Sequence, residues 1–139
     1  MARITPALAG AAVAAAGLAA AGQAAAAPDF LFWKSPSGNI QCMYMAPTNL
    51  AQPGKTFVRC DVLQTTRGRS RSAQVAPRGR AGLFEATDAA AGTPQPVLRY
   101  GRTFARGPFR CTSKVSGMTC RSVISGHGFT LSRERQRVF

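Results

Sequence analysis

Four cysteines, Cys42, Cys60, Cys111 and Cys120, fall into two local pairs with seventeen and eight residues between partners. Four cysteines allow three connectivities. Local pairing is favoured because each bridge then lies within one hairpin, where directly opposed strand positions can meet the distance limits of a disulfide. In the chain-entropy description each closed loop contributes about 2 to 4 kcal/mol. The spacings are not those of metal-ligand pairs, and in an oxidising compartment cysteines so placed are expected to be oxidised. The pairs argue for scaffold rather than chemistry.

Flanking residues test this reading. Residues 30–34 read as a strand, and Ser35-Pro36-Ser37-Gly38 reads as a turn, with proline where its fixed φ is required and glycine closing it. A second strand over 39–45 places Ile40, Cys42 and Tyr44 on one face. A third over 56–63 places Val58, Cys60 and Val62 on one face and Phe57, Arg59 and Asp61 on the other. If Cys42 opposes Cys60 antiparallel, Tyr44 meets Val58 and Ile40 meets Val62, so every inward residue finds an apolar partner. The connection over 46–55, with Pro47, Asn49, Pro53 and Gly54, is longer than a tight hairpin needs and is predicted to be an exposed loop. The same argument applied to 109–113 and 118–122 pairs Cys111 with Cys120 and Ser113 with Met118 across a four-residue loop, 114–117.

The middle of the chain differs. Residues 64–80 contain Arg67, Arg69, Arg71, Arg78 and Arg80, no acid and almost no large apolar side chain, so a long flexible basic loop is predicted there. A short strand over 82–86, a turn-rich stretch to Pro96 and strands over 97–101 and 103–105 follow. The tail over 126–139 reads as a strand, a turn at 132–134 and a last short strand, with a terminal helix as the alternative. The expected fold class is all-β, a small antiparallel sheet or sandwich or a partly open barrel of disulfide-stapled hairpins with a long basic central loop. Helical periodicity is nearly absent.

Residues 1–26 carry a short basic start at Arg3, then an uncharged Ala-, Gly-, Leu- and Val-rich stretch and an alanine run before Pro28, the pattern of a secretory signal peptide. The stretch is too weakly hydrophobic for a membrane anchor, and no later stretch is long and apolar enough to span a bilayer. The expectation is one secreted or periplasmic domain over 27–139, large enough for a modest core. The whole chain carries a formal charge of +13 at pH 7; without Arg3, 17 basic residues face five acids, a balance of +12. Lysines number three among these, and an arginine bias beside so much alanine, glycine and proline is also what a GC-rich genome produces. The remaining field draws anionic surfaces.

The search for chemistry is largely negative. His127 is the single histidine, and one imidazole without an acidic cluster does not assemble a zinc site. Ser125 and His127 lie two apart and can share a side of a strand, but no motif marks an orienting acid or an oxyanion hole. A bend at Gly126-His127-Gly128, fastened by the imidazole, is the simpler reading. Paired carboxylates for glycoside hydrolysis would come from five scattered acids, of which Asp61 and Glu134 look like partners for nearby arginines. No phosphate loop or dinucleotide fingerprint occurs. No catalytic residue, cofactor or metal is expected.

The strings Ser-Pro-Ser-Gly-Asn-Ile-x-Cys at 35–42, Val-Arg-Cys-Asp at 58–61, Leu-x-Tyr-Gly at 98–101, Phe-x-Cys-Thr-Ser at 109–113, Gly-x-Thr-Cys at 117–120 and Gly-His-Gly-Phe-x-Leu-Ser-Arg at 126–133 stand in that order, with a closing Val-Phe. Together they resemble a family of small secreted bacterial proteins known as a domain of unknown function. In that family the central segment often carries two further cysteines, one just before Gly-Asp-Thr; here it reads Phe84-Glu85-Ala86-Thr87-Asp88, and both cysteines are missing together, as a third disulfide would imply. The resemblance implies compartment and fold and brings no activity.

What the residues leave is binding. Arg67, Arg69, Arg71, Arg78 and Arg80, joined by Arg99, Arg102, Arg106 and Arg110, offer bidentate donors suited to phosphate or carboxylate. Tyr100, Phe104 and Phe109 interleave with them, though lining the core is the commoner fate of such aromatics. The expected function is non-enzymatic binding of an anionic cell-envelope polymer or lipid, or of an acidic protein, without sequence-specific nucleic-acid recognition. The alternatives are a hydrolase of an extracellular or cell-wall polymer with His127 as base, and a structural or stress-related secreted protein.

Overall fold

The computed structural model describes residues 30–46, 56–85, 88 and 94–139. The predicted signal segment and residues 47–55 of the predicted loop lie outside the described residues. Ten strands are described: β1 Phe30–Lys34, β2 Ile40–Met45, β3 Phe57–Val62, β4 Arg71–Val75, β5 Gly82–Phe84, β6 Thr103–Arg106, β7 Phe109–Lys114, β8 Gly117–Ser122, β9 Gly128–Leu131 and β10 Gln136–Val138. They form two five-stranded antiparallel meanders, ordered β1-β2-β3-β4-β5 and β10-β9-β8-β7-β6, and neither sheet closes on itself.

Alternation builds the core. Trp33, Ile40, Cys42, Tyr44, Val58, Cys60, Val62, Ala73 and Val75 point inward from the first sheet, and Phe109, Cys111, Met118, Cys120, Phe129 and Leu131 from the second. The expected registers are present: Ile40 opposes Val62, Cys42 opposes Cys60, Tyr44 opposes Val58, and Cys111 opposes Cys120 with Ser113 against Met118. Both disulfides form, each between directly opposed residues with Cα atoms 4.0 Å apart. The bridges also meet, because Cys60 Sγ lies 3.7 Å from Cys120 Sγ. Oxidised sulfurs carry no S–H, so this is a van der Waals contact that brings the two sheets together at their stapled strands. Trp33 stacks on Phe104 with ring centroids 3.9 Å apart, and the Tyr44 ring meets Phe109 edge-on at 6.1 Å, which joins the sheets again, β1 to β6 and β2 to β7.

The predicted loop over 64–80 is corrected by β4, which runs through Arg71–Val75. Its inward positions need no bulk. Ala73 opposes Cys60 of the first disulfide and Val75 opposes Val58, and both are fully buried in space that larger side chains would overfill. Ser72, on the outer face, donates to the buried Asp61 carboxylate, which also accepts Arg59 Nε at 2.9 Å. The second hairpin loop is likewise shorter than expected: Lys114 pairs with Gly117, leaving a two-residue turn. The strand expected over 97–101 reduces to one parallel bridge between Lys34 and Val97. The tail forms β9, a turn and β10 rather than a helix.

Described residues of the connection from β5 to β6 meet the outer face of the first sheet and its β1 edge. Arg59 on β3 pairs with Asp88 at 3.4 Å and also donates to its main-chain oxygen. Gln95 Nε2 donates to Gln41 Oε1 on β2 at 3.5 Å, and the Lys34 amide on β1 donates to Pro96 O at 3.0 Å. The second sheet receives no such cover among the described residues.

Candidate functional site

The sequence Thr65-Thr66-Arg67-Gly68-Arg69 closes on itself before β4 begins. Gly68 N donates to Thr65 O at 3.0 Å, and the buried Thr65 hydroxyl donates to Arg69 O at 2.7 Å and accepts Arg69 N at 3.3 Å. Gly68 has φ of 75°, the left-handed conformation that glycine adopts without a Cβ penalty. Thr66 N donates to Arg133 O at 2.9 Å, which fastens the turn to the β9–β10 connection of the other sheet, and the Asn39 side chain exchanges two hydrogen bonds of 3.0 Å with the main chain of Gln64. A segment that reads as a loop in sequence is therefore a turn tied to both sheets.

This turn and the first residue of β4 bring Arg67, Arg69 and Arg71 to one open cleft of about 470 Å³, shared with Thr65, Glu85 and Gln136. The cleft lies where the edge strands β5 and β10 approach one another. Glu85 Oε1 is 3.5 Å from Arg69 Nη1 and 3.7 Å from Arg71 Nη1. Exposed pairs of this length are worth about 0 to 1 kcal/mol and are readily exchanged for another anion. Arg67 makes no ion pair among the described residues. Three guanidinium groups against one carboxylate leave the cleft with excess positive charge, and their forks match the geometry of phosphate or carboxylate oxygens. Glu85, Thr65 and Gln136 are the cleft residues that sequence reading missed; Glu85 lies sixteen residues beyond Arg69, and no local pattern links them.

Arg78 and Arg80 are not part of this cleft. They sit in the β4–β5 turn, at the far end of a strand about 13 Å long, where Pro77 O accepts the Ser122 hydroxyl at 2.7 Å. The five arginines of the central segment are thus divided between two ends of the molecule. Arg99 and Arg102 line a separate open depression beside Tyr100, and Arg110 Nη1 is held by Gly107 O at 2.8 Å and Phe109 O at 2.7 Å. Of the interleaved aromatics, Phe109 is fully buried, Phe104 is half-buried against Trp33 and Tyr100 is exposed.

His127 fastens its bend. Its Nδ1 lies 3.1 Å from Phe139 O, and its amide donates to Ser125 Oγ at 3.3 Å. The Ser125 hydroxyl is thereby engaged by the main chain of His127, not by its imidazole. Sulfurs of Cys42, Cys60 and Cys120 lie within 4.8 Å of one another, but they are the touching ends of two disulfides and offer no thiolate. Asp61 serves Arg59 as expected. Glu134, by contrast, is exposed and makes no ion pair among the described residues.

The sequence matches DUF6636, a family of unknown function, over residues 12–139. The chain belongs to this family. No curated protein and no solved structure matches it. In this DUF6636 member, segments distant in sequence converge beside the arginine cleft. Ser35, Ser37 and Asn39 of the β1–β2 turn, Tyr100, Gly117, Ser132 and Arg133 line one shallow depression of about 160 Å³. The Ser35 hydroxyl accepts Ile40 N at 3.1 Å and Ser37 Oγ accepts Asn39 N at 3.3 Å, so these serines hold the turn that orients Asn39 toward Gln64.

Proposed function

We propose that this protein is an exported, non-enzymatic module that binds an anionic component of the cell envelope through the cleft of Arg67, Arg69 and Arg71. The observation that carries this reading is the convergence of three guanidinium groups, two from a turn tied to both sheets and one from the start of β4, on one open cleft whose internal counter-charge is a single exposed glutamate. A cleft of this kind takes phosphate or carboxylate in place of Glu85 and pays little for the exchange. Export rests on the signal-like residues 1–26, and the two disulfides are consistent with an oxidising compartment. Against the hydrolase alternative, His127 is engaged with Phe139 O, and no Asp or Glu side chain bonds to it among the described residues.

The test is adsorption of the folded domain to immobilised polyphosphate and polygalacturonate across a salt series. Arg67→Ser, Arg69→Ser and Arg71→Ser together should weaken adsorption and reduce the slope of log affinity against log salt by about 2. Undiminished retention of the triple variant at low salt would overturn the proposal.

A further inference from the structure

The outer face of the second sheet carries a pattern that no stretch of sequence displays. Registers place Thr103 opposite Thr112, Thr112 opposite Thr119, and Thr119 opposite Thr130, and the row continues to Arg137 on β10. The hydroxyls of Thr103 and Thr112 are 3.0 Å apart, as are those of Thr119 and Thr130. Alternation puts all four on the face opposite the core. The same face presents Arg110, opposed by Arg121, and Lys114. No acid lies anywhere between residues 89 and 133, and none lies in β6 to β10.

The two sheets contrast in what they leave open. The outer face of the first holds Asp61 and meets Asp88 and Gln95, while Pro96 pairs with Lys34 along the β1 edge. The outer face of the second has cations, hydroxyls and no cover among the described residues. The cleft and this face meet around the edge strand β10, where Gln136 lines the cleft and the next residue, Arg137, points to the opposite side and into the threonine row.

We infer that this face extends the arginine cleft into a track for a linear polymer of phosphate groups, one that enters at Arg67, Arg69 and Arg71 and crosses β10 to β6. The inference rests on the cleft reading and specifies its ligand as a chain rather than a compact anion. Five strands at the usual spacing give a track of about 19 Å. A polyphosphate carries negative charge on every repeating unit, and the lone pairs of each unit's two non-bridging oxygens are enough to accept an arginine fork and a threonine hydroxyl together.

Binding of tripolyphosphate and of long-chain polyphosphate to the folded domain tests the track separately from the cleft. The domain should bind the long chain at least tenfold more tightly per molecule. The variant Arg110→Ser, Lys114→Ser, Arg121→Ser, Arg137→Ser should lose that advantage and keep tripolyphosphate binding, while loss of tripolyphosphate binding on replacing the three cleft arginines reports on the cleft alone. The track is overturned if the wild-type protein binds both lengths equally, or if the face variant retains the full gain. It is also overturned if polygalacturonate gives the same length dependence, or if phosphatidylglycerol vesicles bind through these residues while polyphosphate length has no effect. Circular dichroism and melting of each variant establish that the fold is retained, and Thr112→Val with Thr119→Val, which keep shape and β-propensity, should reduce the length advantage without unfolding the sheet.

Discussion

At Gly128 the β8–β9 pairing leaves no room for a side chain: an added Cβ would strike the Cys120 carbonyl oxygen and lie 2.8 Å from Arg121 Cα. Backbone atoms, not flexible side-chain ends, would have to give way. Gly128→Ala is therefore expected to cost about 1 to 3 kcal/mol and to lower Tm by roughly 5 to 15 °C, which thermal unfolding followed by circular dichroism measures; an unchanged Tm would contradict the packing described. Ser113 and Ser122 make an opposite pair of cases. Ser113 Oγ is buried against the core without a hydrogen-bond partner among the described residues, so Ser113→Ala should leave Tm unchanged or raise it. Ser122 Oγ binds Pro77 O, and Ser122→Ala should cost about 1 kcal/mol. His127 belongs at this scale too, since the flanking glycines and single imidazole already read as a fastened bend, and the bond to Phe139 O gives the fastening its partner.

Among elements, the first stapled hairpin was legible because the inward residues Ile40, Cys42, Tyr44, Val58, Cys60 and Val62 are all apolar, aromatic or cysteine, so one register satisfies all of them. β4 was not, because Arg-Ser-Ala-Gln-Val offers only Ala73 and Val75 to the core, and small residues suffice where a disulfide already fills the space. The threonine row was invisible for another reason: its members lie nine, seven and eleven residues apart, and only the strand registers align them. The disulfides give an element-scale prediction. Replacing Cys42 and Cys60 by alanine should cost about 3 kcal/mol and replacing Cys111 and Cys120 about 2.5 kcal/mol. Because Cys60 and Cys120 sulfurs touch, the fourfold variant should depart from the sum by more than about 0.5 kcal/mol; strict additivity in chemical denaturation would show that the contact does not couple the sheets. In the cleft, Glu85→Gln releases Arg69 and Arg71 from their shared acid and should tighten polyanion binding several-fold, read as a shift of elution to higher salt.

For the molecule as a whole, the fold turns a charge spread along the sequence into an uneven surface. Asp61 and Asp88 lie on the outer face of the first sheet, and Glu85 lies within the cleft. The second sheet keeps cations without acids. Net charge and the arginines of 67–80 raised the expectation of an anionic partner; they did not reveal that Arg78 and Arg80 separate from Arg67, Arg69 and Arg71, because that depends on β4 running between them. Location and number of charges therefore make separable predictions. The most direct test compares polyphosphate adsorption of Arg67→Ser, Arg69→Ser, Arg71→Ser with that of Arg78→Ser, Arg80→Ser over a salt series. The cleft variant is expected to lose adsorption and about 2 in the salt slope, while the turn variant stays close to wild type. Equal losses scaled only by the number of charges removed would contradict that expectation.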